Sequence, residues 1–370
     1  MSKINHTRVQ QTIDAVRSQC LGKNQALPAV CYTDHELHVL ELERVFRQGW
    51  LCLGREDEVP QVGDYFTYKL LDEPLLVVRS AAQTVTVYAN VCRHRAMPVV
   101  RGSGNAKRFT CPYHAWTYDL QGALKAAPLM TNQASLKKCG LPVVRSECWN
   151  GFIFVTLSDT VAPLSESLAG LVSVTSNYQM QHMHHIAEFI EVWDCNWKSL
   201  TENFMDGYHL SVVHPQSLRP LTPTNLCDTL SSGEAYTSYI ANYAKAAPLR
   251  NNHSSTLTDA EKRQSRLFCV YPAMVASVSP DTLVYLSLQP VGVSQVQVKW
   301  GVSVFEDNLS AEEQQQRIEK WREINHEDHE ILKDLQSGLR SSFYNGGVLA
   351  PENLEGCVSD FHDYMIAMLN

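Results

Sequence analysis

Four residues stand out for the chemistry they can do together. Cys92 and His94 sit two apart in Cys92-Arg93-His94, Cys111 and His114 three apart in Cys111-Pro112-Tyr113-His114, and residues 95–110 separate the pairs. Thiolate and neutral imidazole are both metal ligands, so two short loops can each deliver one sulfur and one nitrogen. A [2Fe–2S] cluster with two cysteines on one iron and two histidines on the other needs that supply. The alternating order Cys, His, Cys, His lets each loop serve both irons. Imidazoles in place of two thiolates raise the reduction potential above that of an all-cysteine cluster. Zn²⁺ also accepts Cys₂His₂, but zinc fingers usually run Cys-x-x-Cys before His…His, and the alternation here favours iron and sulfide.

A second set of ligands lies downstream. The stretch from Asn196 to Tyr208 reads as a helix with few breakers before Gly207. Asp206 and His209 are three apart and would share a helical face. His209 and His214 are five apart and would face different ways on an intact helix. Pro215 disfavours the helical conformation at His214, so the helix should end or distort there and let the imidazoles converge. Two histidines and one carboxylate with open positions form the facial triad of non-haem Fe(II) oxygenases. Taken alone, His209 and His214 suit surface histidines equally well. The carboxylate must come from elsewhere. Ser310-Ala311-Glu312-Glu313 is a capping box that opens a long predicted helix reaching about Leu335. That helix carries Glu327, Asp328, Glu330 and Asp334, with His326 and His329 beside them. A solvated charged face is the alternative reading of those carboxylates.

These motifs carry a family resemblance. Cys-x-His…Cys-x-x-His followed by Asp-x-x-His-x-x-x-x-His resembles, without departure, the pattern of the α subunit (terminal oxygenase) of the Rieske non-haem iron oxygenases, or ring-hydroxylating oxygenases. Trp50, the Gly63-Asp64-Tyr65 turn and Arg79 match the family's cluster domain. Glu327-Asp328, Gln336-Ser337-Gly338-Leu339, Pro351-Glu352 and Phe361-His362 resemble the choline, glycine-betaine and carnitine monooxygenase branch. The resemblance runs from about residue 35 to the end.

It implies an α+β chain with a small all-β Rieske [2Fe–2S] domain and a helix-grip (START/SRPBCC-like) catalytic domain. The cluster ligands would be Cys92, His94, Cys111 and His114. Fe(II) would be held by His209, His214 and Asp328, with Asp334, Glu327 and Asp360 as the remaining candidates for the carboxylate. Subunits would form a ring, most simply a homotrimer. There His114 of one subunit faces His209 of its neighbour, and Asp206 bridges them by accepting a hydrogen bond from each ligated ring. Asn203 would sit by the iron's open side or bond backbone. The substrate would be a small molecule oxidised with O₂: a quaternary amine, or in second place an aromatic acid or ring. Aromatic faces hold such cations, and Trp193, Tyr208, Tyr271 and Tyr285 are candidates for them. A stand-alone Rieske electron carrier is the competing class, and the roughly 200 residues after the cluster domain argue against it.

The elements that must position these groups are legible in outline. Residues 1–45 form an N-terminal helical segment packing on the catalytic domain, 46–160 the cluster domain and 161–370 the catalytic domain. Short β-rich runs such as Pro74–Arg79 and Thr84–Tyr88 precede the ligand loops. Strands are expected at His185–Trp193, Leu267–Val270, Leu283–Gln289 and Gln295–Phe305, with a terminal helix from about Cys357. Residues 221–265, including Asn251-Asn252-His253, read as a mobile loop over the site. His182-Met183-His184-His185 reads as a solvated connector.

With 370 residues, 44% hydrophobic, the chain can bury two cores. A net charge of −8 without a basic run argues against nucleic acid or an anionic membrane as partner. No apolar run approaches a membrane span, and Met1–Thr12 lacks the apolar core of a secretory signal. Eleven cysteines, nine of them scattered without pairing rhythm, suit reduced thiols in the cytoplasm. No dinucleotide fingerprint is present: Gly102-Ser103-Gly104 lacks the third glycine. NAD(P)H would therefore act through a separate flavin or iron–sulfur reductase, with or without a ferredoxin.

Overall fold

The computed structural model describes residues 6–22, 24–131, 136–249, 252–305 and 309–369. The chain divides into two compact units, one of residues 52–159 and one of residues 1–51 with 160–370. Together they are α+β: small antiparallel sheets in the first, a large sheet and helices in the second.

In the smaller unit a five-stranded sheet is built on Asp64–Leu70, Glu73–Ala81 and Thr84–Ala89, flanked by Ser103–Asn105 and Val143–Val144. Glu73–Ala81 centres on Leu75-Leu76-Val77-Val78, and Leu76, Val77 and Val78 are fully buried. A three-stranded sheet joins Arg108–Thr110, Thr117–Asp119 and Leu124–Ala126. Gly63 turns the chain into the first sheet at φ +93°, where a Cβ would meet the Ala106 carbonyl at 2.6 Å. Arg79 ties that corner down by donating to the carbonyls of Val59 and Glu56. Cys92 and Cys111 lie within the apolar core, among Leu76, Val78, Phe109, Trp116 and Tyr118.

The larger unit holds a seven-stranded antiparallel sheet. His184–Trp193 at one edge pairs with Gln295–Val304, followed by Thr282–Gly292, Met274–Val278, Gln264–Val270, Tyr236–Asn242 and Cys227–Thr229. Val296, Val298, Trp300, Val302 and Val304 alternate along one strand and are at most 1% exposed. Helix Trp197–Phe204 packs against this sheet, with Asn196 capping its start. Helix Ala311–Leu339 opens on the Ser310–Glu313 capping box. It buries Ile324, Asp328, Leu332, Gln336 and Leu339 along one side, at three- and four-residue spacings. The C-terminal helix begins at Glu352, five residues before the expected start, and packs on strands 227–229 and 236–242.

Two expectations are corrected. Residues 221–265 are not one mobile loop: they supply two strands of the main sheet, and Asn251 lies outside the described residues. The run Tyr236–Asn242 is rich in aromatic and β-branched residues and pairs in continuous register with Gln264–Val270. The segment His182–His185 is only in part a solvated connector: His182 and His184 are exposed. Met183 is buried, and His184 opens the edge strand of the sheet.

Candidate active site

The two cysteine–histidine loops of the smaller unit repeat one backbone pattern. In Cys92–Met97 the Cys92 N–H donates to Met97, the Ala96 N–H donates to Cys92, and Ala96 is left-handed at φ +59°. In Cys111–Trp116 the Cys111 N–H donates to Trp116, the Ala115 N–H to Cys111, and Ala115 has φ +56°. Each loop thus turns back tightly after its histidine. Both cysteines are buried and both histidines exposed. The His94 ring stacks on Trp116 at 5.0 Å and meets His114 edge-on at 4.6 Å. Burial raises the Cys111 thiol, with Cys92 beside it adding to the effect. A buried thiol of that kind becomes a thiolate when a cation takes the place of its proton. The Tyr118 hydroxyl lies 3.4 Å from Cys92 Sγ and accepts from the Arg93 N–H. Two buried sulfurs and two exposed imidazoles fit the donor set that a [2Fe–2S] cluster would need here.

In the larger unit the ligand region is not one helix to Gly207, as its sequence suggests. Helix Trp197–Phe204 ends at Met205, a turn carries residues 206–209, and a short helix Leu210–Val213 follows. Asp206 Oδ1 accepts from the Tyr208 N–H, so Asp206 and His209 meet across a turn rather than along a helical face. Gly207 allows it. Its N–H donates to the Leu354 carbonyl at 3.0 Å, and a Cβ there would lie 2.9 Å from Cys227 Cβ. His214 leaves the helix at φ −114°, ψ 55°, as Pro215 after it requires.

His209, His214 and Asp328 converge, with candidate ligand atoms within 4.8 Å of one another. Asp328 Oδ1 lies 3.6 Å from His209 Nε2, 3.1 Å from His214 Nε2 and 2.9 Å from the Asn203 amide nitrogen. Asn203 therefore bonds the carboxylate itself, not backbone. Both imidazoles are held from behind by a carboxylate on Nδ1: His209 by Asp206 at 3.2 Å, His214 by Glu327 at 2.7 Å. Ser217 donates to the same Glu327 oxygen. These bonds turn both Nε2 atoms inward. Burial lowers the His214 pKa, but Asp328 and Glu327 outweigh it, and the net shift is upward. The same negative field favours a divalent cation, and the donor set fits mononuclear iron.

Of the other candidate carboxylates, Glu327 supports His214, Asp360 accepts from Thr237, and Asp334 is exposed. Glu327's supporting role was missed from sequence. Its position next to Asp328 was the available signal.

A cavity of about 110 Å³ opens beside the triad. Leu210, Leu218, Leu221, Leu267 and Ile324 supply its apolar wall, and Phe204, Tyr239, Tyr243 and Trp321 its aromatic one. None of the four aromatics expected from sequence lines it. Trp193 stacks on His329, Tyr271 on Tyr364, Tyr285 is fully buried and Tyr208 is 58% exposed. Which strand residues reach the cavity depends on sheet register, which no local pattern reveals.

Residues 49–142 match the Rieske [2Fe-2S] domain, and residues 177–370, more than half of the chain, match the ring hydroxylating alpha subunit (catalytic domain). The chain belongs to the ring-hydroxylating α-subunit family. It is a terminal Rieske oxygenase, an oxidoreductase with a [2Fe–2S] domain and a catalytic domain that binds mononuclear iron. It is 33% identical over 220 residues to the glycine betaine monooxygenase oxygenase subunit of Chromohalobacter salexigens. That match covers 59% of this chain and about half (49%) of the relative. It is 27% identical to the carnitine monooxygenase oxygenase subunit of Escherichia coli K12, over 88% of both chains. A solved quaternary ammonium Rieske monooxygenase shares the fold at TM-score 0.81 and 21% identity, over 94% of this chain and 96% of that one. Among the described residues, no helix is long and apolar enough to cross a membrane.

Proposed function

We propose that this oxygenase hydroxylates, or oxidatively N-demethylates, a small quaternary amine bound in the cavity beside His209, His214 and Asp328. The observation carrying this reading is the cavity wall of Phe204, Tyr239, Tyr243 and Trp321 beside a two-histidine, one-carboxylate set. Aromatic faces attract quaternary ammonium groups, and a relative matched over 88% of both chains is named a carnitine monooxygenase oxygenase subunit.

In this reading Cys92, His94, Cys111 and His114 hold the cluster, and His209, His214 and Asp328 hold Fe(II). Bound there, the iron supplies O₂ activation. The overall change is R–H + O₂ + 2 e⁻ + 2 H⁺ → R–OH + H₂O. A hydroxylated N-methyl group then leaves as formaldehyde. The chain's own residues orient and exclude. Asp206 and Glu327 fix the ring tautomers so that both Nε2 atoms face the metal. Asn203 holds Oδ1 of Asp328. The apolar wall keeps bulk water from the reacting carbon. The two electrons come from a separate NAD(P)H-dependent reductase and enter through the exposed His94 and His114 edge. In a ring of subunits, most simply a homotrimer, Asp206 of one subunit accepts hydrogen bonds from its own His209 and from His114 of the next.

The test is O₂ uptake coupled to NADH oxidation, with a cognate reductase, across betaines, carnitine, choline and aromatic acids. Formaldehyde or aldehyde release from a methylammonium compound is the expected result. Stoichiometric ring hydroxylation with the amines inert would replace the amine reading by that of an aromatic-acid oxygenase.

A further inference from the structure

Helix Ala311–Leu339 presents more than an iron ligand to the cavity. Arg317, Lys320, Trp321, Ile324 and Asp328 all line it, at spacings that keep them on one face. The face therefore runs from the metal-site carboxylate through an apolar stretch to two cationic side chains. At the cationic end Arg317 meets Asp281, a carboxylate only 5% exposed. The contact is single: one guanidinium Nη lies 3.3 Å from Asp281 Oδ2. Asp281 is itself fixed by the hydroxyls of Ser279 and Thr282, both at 3.2 Å. The guanidinium is thus anchored at one corner, while the side chain stays 24% exposed. A planar fork with donors to spare matches a carboxylate. Ser265, Ser277 and Ser279 add hydroxyls to this part of the lining.

We infer that Arg317, held by Asp281, recognises an anionic carboxylate on the substrate, with Lys320 one turn along the helix adding positive charge. The substrate class is therefore a small molecule with a carboxylate at the end remote from the oxidised carbon. Residues 317 and 320 precede Asp328 by eleven and eight positions, about 16 and 12 Å along a helix axis. Allowing for the contacts at each end leaves roughly 5–9 Å between the reacting carbon and the carboxylate. A trimethylammonium group separated from its carboxylate by three methylenes has that reach. So does a ring acid with a two-carbon arm. The inference rests on the reading above only in placing the substrate in this cavity, and both substrate classes considered there satisfy it.

The experiment measures binding of four probes to the iron-loaded holoenzyme by calorimetry: γ-butyrobetaine, cinnamate and the uncharged-end amide of each. Wild type should bind at least one acid more tightly than its amide. Arg317→Gln should weaken that acid about 10- to 100-fold and leave its amide unchanged, with Arg317→Lys in between. Iron content and the cluster spectrum verify each variant. Equal weakening of acid and amide in Arg317→Gln would overturn the inference. So would a wild type that prefers neither acid over its amide, a result that decides the matter even if the variant fails to fold. Arg317-dependent binding of cinnamate, with γ-butyrobetaine neither bound nor turned over, would uphold the inference and sink the amine reading.

Discussion

Removing the Glu327 carboxylate should weaken iron binding at a site it does not itself ligate. The His214 ring is 1% exposed, and its Nδ1 lies 2.7 Å from Glu327 Oε2. In Glu327→Ala the metal-free protein escapes any penalty by moving the ring proton to Nε2, where Asp328 Oδ1 accepts it at 3.1 Å. Binding Fe(II) through Nε2 forces the proton back to Nδ1, now a buried donor without a partner. Such a donor costs about 1–3 kcal/mol. At 1.4 kcal/mol per tenfold, Fe(II) should bind about 5- to 150-fold more weakly. Glu327→Gln keeps an oxygen acceptor and should lose only a few-fold. The assay is Fe(II) titration of protein stripped of mononuclear iron, in competition with a chromophoric chelator, with the cluster absorption as internal control. Wild-type iron affinity in Glu327→Ala, within about twofold, would refute the tautomer argument.

Four further outcomes follow from other contacts. Tyr118→Phe removes a hydroxyl 3.4 Å from Cys92 Sγ. If that bond is about 1–2 kcal/mol stronger in the reduced cluster, the potential should fall by roughly 40–80 mV in protein-film voltammetry, and an unchanged potential would exclude the bond. Asp328→Ala should lose the mononuclear iron and keep the cluster spectrum, whereas Asp334→Ala and Asp360→Ala should keep both. Asp206→Ala should retain both metals yet lose reductase-coupled turnover, and mixing it with a His114-defective chain should restore part of the activity if electrons cross between subunits. Burial and the nearby Lys198 charge lower His38 from 6.5 to about 4. The unfolded chain then binds the extra proton first, so the stability tied to His38 is present above pH 6.5 and lost as pH falls toward 4. His38→Gln should flatten that part of the melting temperature against pH.

The sequence by itself determined what is encoded within a few residues. The Cys92–Met97 and Cys111–Trp116 loops close through bonds inside six residues, so their spacing sufficed to foresee two matching cysteine–histidine turns. The Ser310–Glu313 cap opens its helix in the expected place, and the alternating valines of Gln295–Val304 form the expected strand, because caps and pleats are local devices. Even Pro215 acted locally, bending His214 out of the helix. Tertiary structure decided everything that joins distant segments. His214 meets Glu327 across 113 residues, and Asn203 meets Asp328 across 125. The turn at 206–209 replaces a plausible helix because Gly207 is drawn against Cys227 and Leu354. Sheet register chose Tyr239 and Tyr243 for the cavity over the four aromatics that sequence suggested. The physical reason is one of range. Backbone conformation answers to neighbours three or four positions away, whereas a binding wall is assembled from side chains whose facing is set by how whole elements pack.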